Sequence, residues 1–345
     1  MGSIKLNQIG SYPQELLEIN VEELYTLFPE PTLLHLHGKK PEPVFVSVLL
    51  HGNESTGFYV IQELLKKYQN SDLPRSISIL LANTQAARHR KRSLDGQHDY
   101  NRVWPGTIEP KVQEAIVMQE VADEMARRNV FASIDIHNNT GLNPHYACIN
   151  KLENRFLQLA ALFGPTIVYF LSPKGVQSMA FSKFCPAVTL ECGKPGNPDG
   201  TNHALEYINA VLHIQAISNE PVLPQDIKLF HTVARILVPK DVTFSYTDQS
   251  AAILFQRDLY KMNFTEIPAD TCFGIVHSNN NARLLALNDS DEELGEKLFY
   301  IDKQQIKLRK PMMPAMLTLD EAIIRQDCLC YLMERLPYPE TTYTN

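Results

Sequence analysis

Apolar residues fall into short unbroken runs through the first two thirds of this chain and into still shorter, interrupted runs beyond. Val44-Phe-Val-Ser-Val-Leu-Leu50 is almost wholly apolar and rich in β-branched residues, as a strand buried on both faces of a mainly parallel sheet requires. Similar runs predict strands near 76–82, 131–136, 165–171 and 187–192. Between them the apolar positions recur at helical spacing: within 57–68, Val60, Ile61, Leu64 and Leu65 gather on one side with charge opposite. The same period predicts helices over 112–128, 152–163 and 202–217. Alternation of this kind predicts a layered α/β sheet, mostly parallel, with helices on both faces. The run Leu33 to His37 predicts one more strand, added at the sheet edge.

Asn219-Glu-Pro-Val-Leu-Pro224 has the composition of a linker, and beyond it the texture changes. Short β-type runs follow at 227–238, 242–246, 271–276, 297–301, 305–308 and 315–317. The expected organisation is therefore a catalytic-sized α/β domain over 1–220 and a smaller β domain over 221–345. Neither an internal repeat nor a low-complexity tract interrupts it.

Composition narrows the function classes more than the fold. At 345 residues, 44% hydrophobic and 21% charged, the chain has the makeup of an ordinary globular protein with a full core. A net charge of -7 argues against nucleic acid as a partner, which calls for a basic surface. Apolar runs stay far shorter than a membrane span, and no secretory segment follows Met1, so no membrane partner is expected. The six cysteines, at 148, 185, 192, 272, 328 and 330, form no CxxC pair. They read as reduced thiols in a cytoplasmic setting, which leaves no cysteine-based zinc site.

The chemistry concentrates at predicted strand ends. His51-Gly-Asn-Glu54 sits where the 44–50 strand turns into the 57–68 helix, with Gly52 and Asn53 suited to a tight turn. Taken alone, a histidine and a glutamate three apart are commonplace on helix surfaces. Here they occupy the carboxyl end of a strand, where open α/β sheets place their sites. His137 directly follows the 131–136 strand and offers a third ligand; two histidines and a glutamate, with a fourth position for water, make a common catalytic zinc set. His35, His37, His203, His213, His231 and His277 have no partner at ligand spacing and read as ordinary core or surface residues.

Amide hydrolysis at such a centre also needs a general base that takes a proton from water and passes one to the leaving amine. Glu191, at the end of the 187–192 strand and before the turn residues Cys192 and Gly193, is the candidate. Asn101-Arg102, before the lone Trp104, can clamp a substrate carboxylate through a guanidinium assisted by an amide. Arg88-His-Arg-Lys-Arg92 is a basic island in an acidic chain. It reads as a solvated face, as a small nucleic-acid patch, or as a segment over the metal that draws in anions and lends an arginine to a developing oxyanion.

At these residues the chain resembles the succinylglutamate desuccinylase and aspartoacylase family, a branch of the zinc carboxypeptidase superfamily. The matching elements stand in the family's order: His51-Gly-Asn-Glu54-Ser-Thr-Gly57, the loop from Asn83 to Asp99-Tyr-Asn-Arg102, Asp135-Ile-His137 and Thr189-Leu-Glu191-Cys-Gly193. The likeness runs from about 40 to 215, with a weaker echo at Met316-Leu-Thr-Leu-Asp320. It implies a zinc-carboxypeptidase-like three-layer α/β/α domain plus a C-terminal β domain. It further implies one zinc ion on His51, Glu54 and His137, Glu191 as general base and acid, Asn101 and Arg102 on the substrate, and Arg92 as the carbonyl-polarising arginine.

The activity implied is removal of the acyl group from a small anionic N-acyl amino acid; a homo-oligomer is compatible with the sequence, which leaves oligomeric state open. Aspartoacylases carry an arginine about ten residues before the catalytic glutamate, whereas Met179-Ala-Phe181 stands there in this chain and Lys183 is the nearby cation. Leu190-Glu-Cys-Gly-Lys194 and His145 are more similar to the succinylglutamate branch. Two rival functions share the residues: a zinc carboxypeptidase acting on a peptide C-terminus, and a binding protein that has lost catalysis. The second would lack a ligand or the base, and this sequence lacks neither.

Overall fold

The structure, a computed structural model, describes residues 4–277 and 282–337; the remaining positions of the two expected domains lie outside the described residues. The chain divides into two compact units, Met1–Asn138 with His145–Lys228, and Asn139–Pro144 with the described chain from Leu229 on.

In the first unit the strands are β1 (Asn7–Ile9), β2 (Thr32–Leu36), β3 (Val44–Val48), β4 (Ile77–Leu81), β5 (Ala132–His137), β6 (Tyr146–Ile149), β7 (Thr166–Tyr169) and β8 (Ala187–Glu191), all but β1 and β6 on predicted runs. They lie in the order β1-β2-β4-β3-β5-β8-β6-β7. The central strands β4, β3, β5 and β8 run parallel, while β2 on β4 and β6 on β8 are antiparallel, giving a mostly parallel mixed sheet. Two points differ from expectation. The 32–36 strand is not the edge, because the three-residue β1 pairs outside it. Strand β6 had no apolar run long enough to announce it; Tyr146 to Ile149 pairs by its backbone against β8.

Helices α1 (Thr56–Tyr68), α2 (Thr84–Arg88), α3 (Gln113–Arg127), α4 (Asn154–Ala161), α5 (Gln177–Phe181) and α6 (Pro198–His213) connect the strands. Side-chain alternation along a strand assigns them to faces. Val48 of β3 and Ile136 of β5 back onto Gly57 of α1, so close that a Cβ there would stand 2.8 Å from Val48 Cγ1. Phe45 of β3 points the other way and stacks on Phe181 of α5 at 4.5 Å between ring centres, and Ser133 of β5 meets Gln177 of the same helix. Helices therefore cover both faces of β3 and β5, and the architecture is the α/β/α sandwich expected.

The second unit is β-rich. Strands β9 (Lys228–Leu237), β10 (Phe244–Ser245), β11 (Ile253–Phe255), β12 (Cys272–Val276), β13 (Leu285–Leu287), β14 (Phe299–Asp302), β15 (Gln305–Leu308), β16 (Met313–Ala315) and β17 (Cys330–Arg335) build it. Strand β9 pairs antiparallel with β13 and β17, and β16 lies beyond β17. The others form a five-stranded sheet, β10-β11-β12-β15-β14. Phe244, Phe255, Phe273 and Phe299 occupy its core.

The segment Asn139–Pro144 is held within this unit. Thr140 and Thr318 share a hydroxyl hydrogen bond of 2.9 Å, and Asn143 Oδ1 accepts from the Met316 N–H at 3.1 Å. Asn263 brackets Leu317, donating to its carbonyl and accepting from its N–H, both at 2.8 Å. Among the described residues no helix is long and apolar enough to cross a membrane.

Candidate active site

The register of three parallel strands assembles the site. Ser47, Asp135 and Thr189 stand side by side on β3, β5 and β8, and one step further along, His137 of β5 stands beside Glu191 of β8. All five share the α5 face, because they fall on alternate positions. The opposite face carries Val46, Ile134 and Val188, all buried. One side of the same strands thus supplies core and the other supplies chemistry.

Beyond β3 the chain turns through His51 to Glu54. Gly52 allows that turn: a Cβ there would collide with the backbone of Ala86 and Ala87 in α2. The result brings His51, Glu54 and His137 together, each buried, with one donor atom apiece within 4.8 Å of the others. Nδ1 of His51 lies 2.7 Å from Glu54 Oε1, and Nδ1 of His137 lies 2.7 Å from Glu54 Oε2. Each ring's second nitrogen meets a carboxylate: His51 Nε2 is 3.0 Å from Asp99, and His137 Nε2 is 2.7 Å from Asp135. Asp135 is itself fixed by the Ser47 hydroxyl at 2.7 Å.

This arrangement suits a divalent cation. Two imidazole nitrogens and one carboxylate oxygen form a three-ligand set of the kind that leaves a fourth position to water, and carboxylates behind the imidazoles are the usual outer support of such ligands. The electrostatics agree. Burial pushes the Glu54 carboxyl up, but the adjacent His51 and His137 outweigh it and hold it far below the usual range. Burial pulls His137 down, yet Asp135 and Glu54 together raise it well above an ordinary histidine. Three carboxylates around two imidazoles are a surplus of negative charge that a dication would balance.

The basic island separates into three fates. Arg88 lies over the Tyr25 ring at 4.3 Å, and Arg90 pairs with Glu22 at the surface. Arg92 turns inward: Nε and Nη2 donate to Asp99 at 3.1 and 2.9 Å, and Nη1 stands 3.9 Å from Glu54. Burial raises the Asp99 carboxyl, and His51 followed by Arg92 more than reverses this, keeping it ionised.

Asn101 is buried with its amide directed inward. Oδ1 accepts from the Gln177 N–H at 3.0 Å, and Nδ2 lies 3.2 Å from His137 Nε2. Arg102 is half-buried and donates to the Asn101 carbonyl at 2.8 Å. Glu191 is buried, between His137 on β5 and Tyr146 on β6. Asp99, Asp135 and Ser47 carry contacts that reading the sequence did not assign. For Asp99 and Asp135 the cue was their place inside the matching motifs, because an aspartate two residues before a histidine on a strand shares its face; Ser47 had none.

Residues 42–216 match the Succinylglutamate desuccinylase/Aspartoacylase catalytic domain, and the chain belongs to that family of deacylating hydrolases. Among curated relatives, a succinylglutamate desuccinylase of Yersinia enterocolitica is 24% identical over 252 residues, covering 65% of this chain and 74% of the relative. One of Serratia proteamaculans is 28% identical over 260 residues, covering 67% and 73%. Among solved structures, a succinylglutamate desuccinylase/aspartoacylase of Rhodobacter sphaeroides superposes with a TM-score of 0.59 at 15% identity, over 88% of each chain. Murine aminoacylase 3 gives a TM-score of 0.55 at 13% identity, over 86% of this chain and 95% of its own.

Proposed function

We propose that this protein is a zinc-dependent amidohydrolase that removes the acyl group from a small, anionic N-acyl amino acid. The observation that carries the proposal is the convergence of His51, Glu54 and His137 within 4.8 Å, with Glu191 registered beside His137 on the next strand. Zinc held by those three residues would supply Lewis acidity toward the amide carbonyl and make water more acidic.

The protein's own groups would do the rest. Glu191 takes a proton from the attacking water and returns one to the departing amine nitrogen, the two duties that amide cleavage demands of one carboxylate. Arg92, clamped by Asp99 through two nitrogens, presents a preorganised cation to the oxyanion that develops at the carbonyl. Arg102 binds the substrate carboxylate. Asn101 joins it at the substrate, and its backbone carbonyl holds the Arg102 guanidinium. The curated relatives are named as succinylglutamate desuccinylases, which favours a dicarboxylic acyl amino acid as substrate.

A panel of N-acetyl, N-formyl and N-succinyl amino acids, read by release of free amine, tests the reaction. Stoichiometric zinc in the purified protein and turnover of one panel member are expected. Replacing Glu191 by Gln should leave zinc bound while lowering turnover by roughly 10²–10⁴. Protein that purifies without zinc, or that ignores the panel and trims peptide C-termini, overturns the proposal.

A further inference from the structure

Asn138 follows His137 and is 5% exposed. Its hydrogen bonds reach separate stretches of chain. The backbone N–H donates to Glu54 Oε2 at 3.1 Å. The side-chain Oδ1 accepts from the Thr56 N–H at 3.1 Å, and Nδ2 donates both to Thr56 Oγ1 at 2.8 Å and to the Gly193 carbonyl at 2.9 Å. Both amide protons are therefore used.

Thr56 opens the helix that follows Glu54, and Gly193 lies two residues beyond Glu191. Gly193 has φ +72, a left-handed conformation that sets the direction of its carbonyl and the path of the turn. A second bond, Cys192 N–H to the His137 carbonyl at 3.0 Å, ties the same turn to β5. The Asn138 side chain thus links the segment carrying the metal-ligand carboxylate to the segment carrying the proposed base.

We propose that Asn138 is a positioning residue that fixes the separation between the Glu54 and Glu191 segments. The inference rests on the zinc amidohydrolase reading and adds a residue to it. The contact to Glu54 itself comes from the backbone, and the side chain ties Thr56 to the Gly193 turn, so side-chain loss releases the Glu191 segment while the Glu54 contact stays. Such a loss should therefore weaken the proton-transfer step more than metal binding.

Asn138→Asp keeps the shape but sets a carboxylate oxygen against the Gly193 carbonyl with no proton between them. Thr56→Val removes the hydroxyl acceptor on the helix side and serves as the second variant should Asn138→Asp fold poorly. For Asn138→Asp we expect kcat to fall about tenfold or more, in the range typical of lost outer support, with KM little changed. The zinc dissociation constant, from chelator competition, should stay close to that of the parent. Hydrogen exchange in metal-free protein should quicken across 192–197.

Equal kcat in parent and Asn138→Asp, or a loss of zinc affinity as large as the loss of kcat, overturns the assignment. Should Asn138→Asp not fold, an unchanged kcat in Thr56→Val overturns it. A parent that holds no zinc and deacylates nothing overturns the underlying reading as well, and zinc analysis of the parent alone separates the two failures.

Discussion

What a buried histidine can do depends on what its second nitrogen touches. His51 and His137 each turn Nδ1 to Glu54 and Nε2 to an aspartate. His35, also buried, has neutral hydrogen-bond partners among the described residues: Ser78 Oγ at 2.8 Å and Gln8 Oε1 at 3.4 Å. The first pair can be oriented for a metal; the third is a core residue. Asp135→Asn should accordingly weaken zinc binding about 10–100-fold, because the imidazole loses its charged support. An unchanged dissociation constant in chelator competition would remove Asp135 from that role. His35 makes a different prediction. Burial, and then Arg128, lowers it from 6.5 to about 4. Between those values the unfolded chain binds a proton that the folded chain does not, so stability present above pH 6.5 drains away as pH falls toward 4. His35→Gln should lose fewer degrees of melting temperature between pH 7 and pH 4 than the parent; equal losses would sink this account.

At the scale of elements, the turns matter as much as the strands. Gly52 sits between two proposed ligands and against the α2 backbone, so Gly52→Ala forces a shift that no rotamer can absorb. We expect a lower melting temperature together with weaker zinc retention, checked by calorimetry and metal analysis; loss of neither would mean the turn relaxes freely. Gly57 meets side chains instead, Val48 and Ile136, and Gly57→Val should cost about 1–3 kcal/mol by overpacking, read from urea unfolding. These elements also show why some of the structure was legible in the sequence. Strands β3, β5 and β8 are short, mostly apolar runs followed by turn residues, and hydrophobic patterning reports just that, while Ser47, Asp135 and Thr189 interrupt them on one face. Strand β6 is built from Tyr146-Ala-Cys-Ile149 and takes its identity from pairing with β8, a long-range contact that no local pattern encodes. The sorting of Arg88, Arg90 and Arg92 escaped for the same reason: their partners Tyr25, Glu22 and Asp99 are set by the fold.

Across the whole molecule, the site's polar groups come from strands far apart in sequence, while their spacing along the sheet is fixed by register. Sequence could single out His137 and Glu191 at strand ends and His51 and Glu54 in the turn beyond another, but not the alignment that puts His137 level with Glu191. The path between them has its own consequence. Immediately after Asn138 the chain enters the second unit for six residues, Asn139–Pro144, and returns at His145. Thr140 and Asn143 find their partners at Thr318 and Met316, so a chain ended after Lys228 would lose both. Such a fragment should be cut by protease within 139–144, where the full chain resists. A stretch threaded this way makes the β-rich unit unsuitable as an interchangeable cassette. Recombination that swapped everything past 228 would also have to rewrite six residues buried in the middle of the gene, so the two parts are expected to have been inherited together.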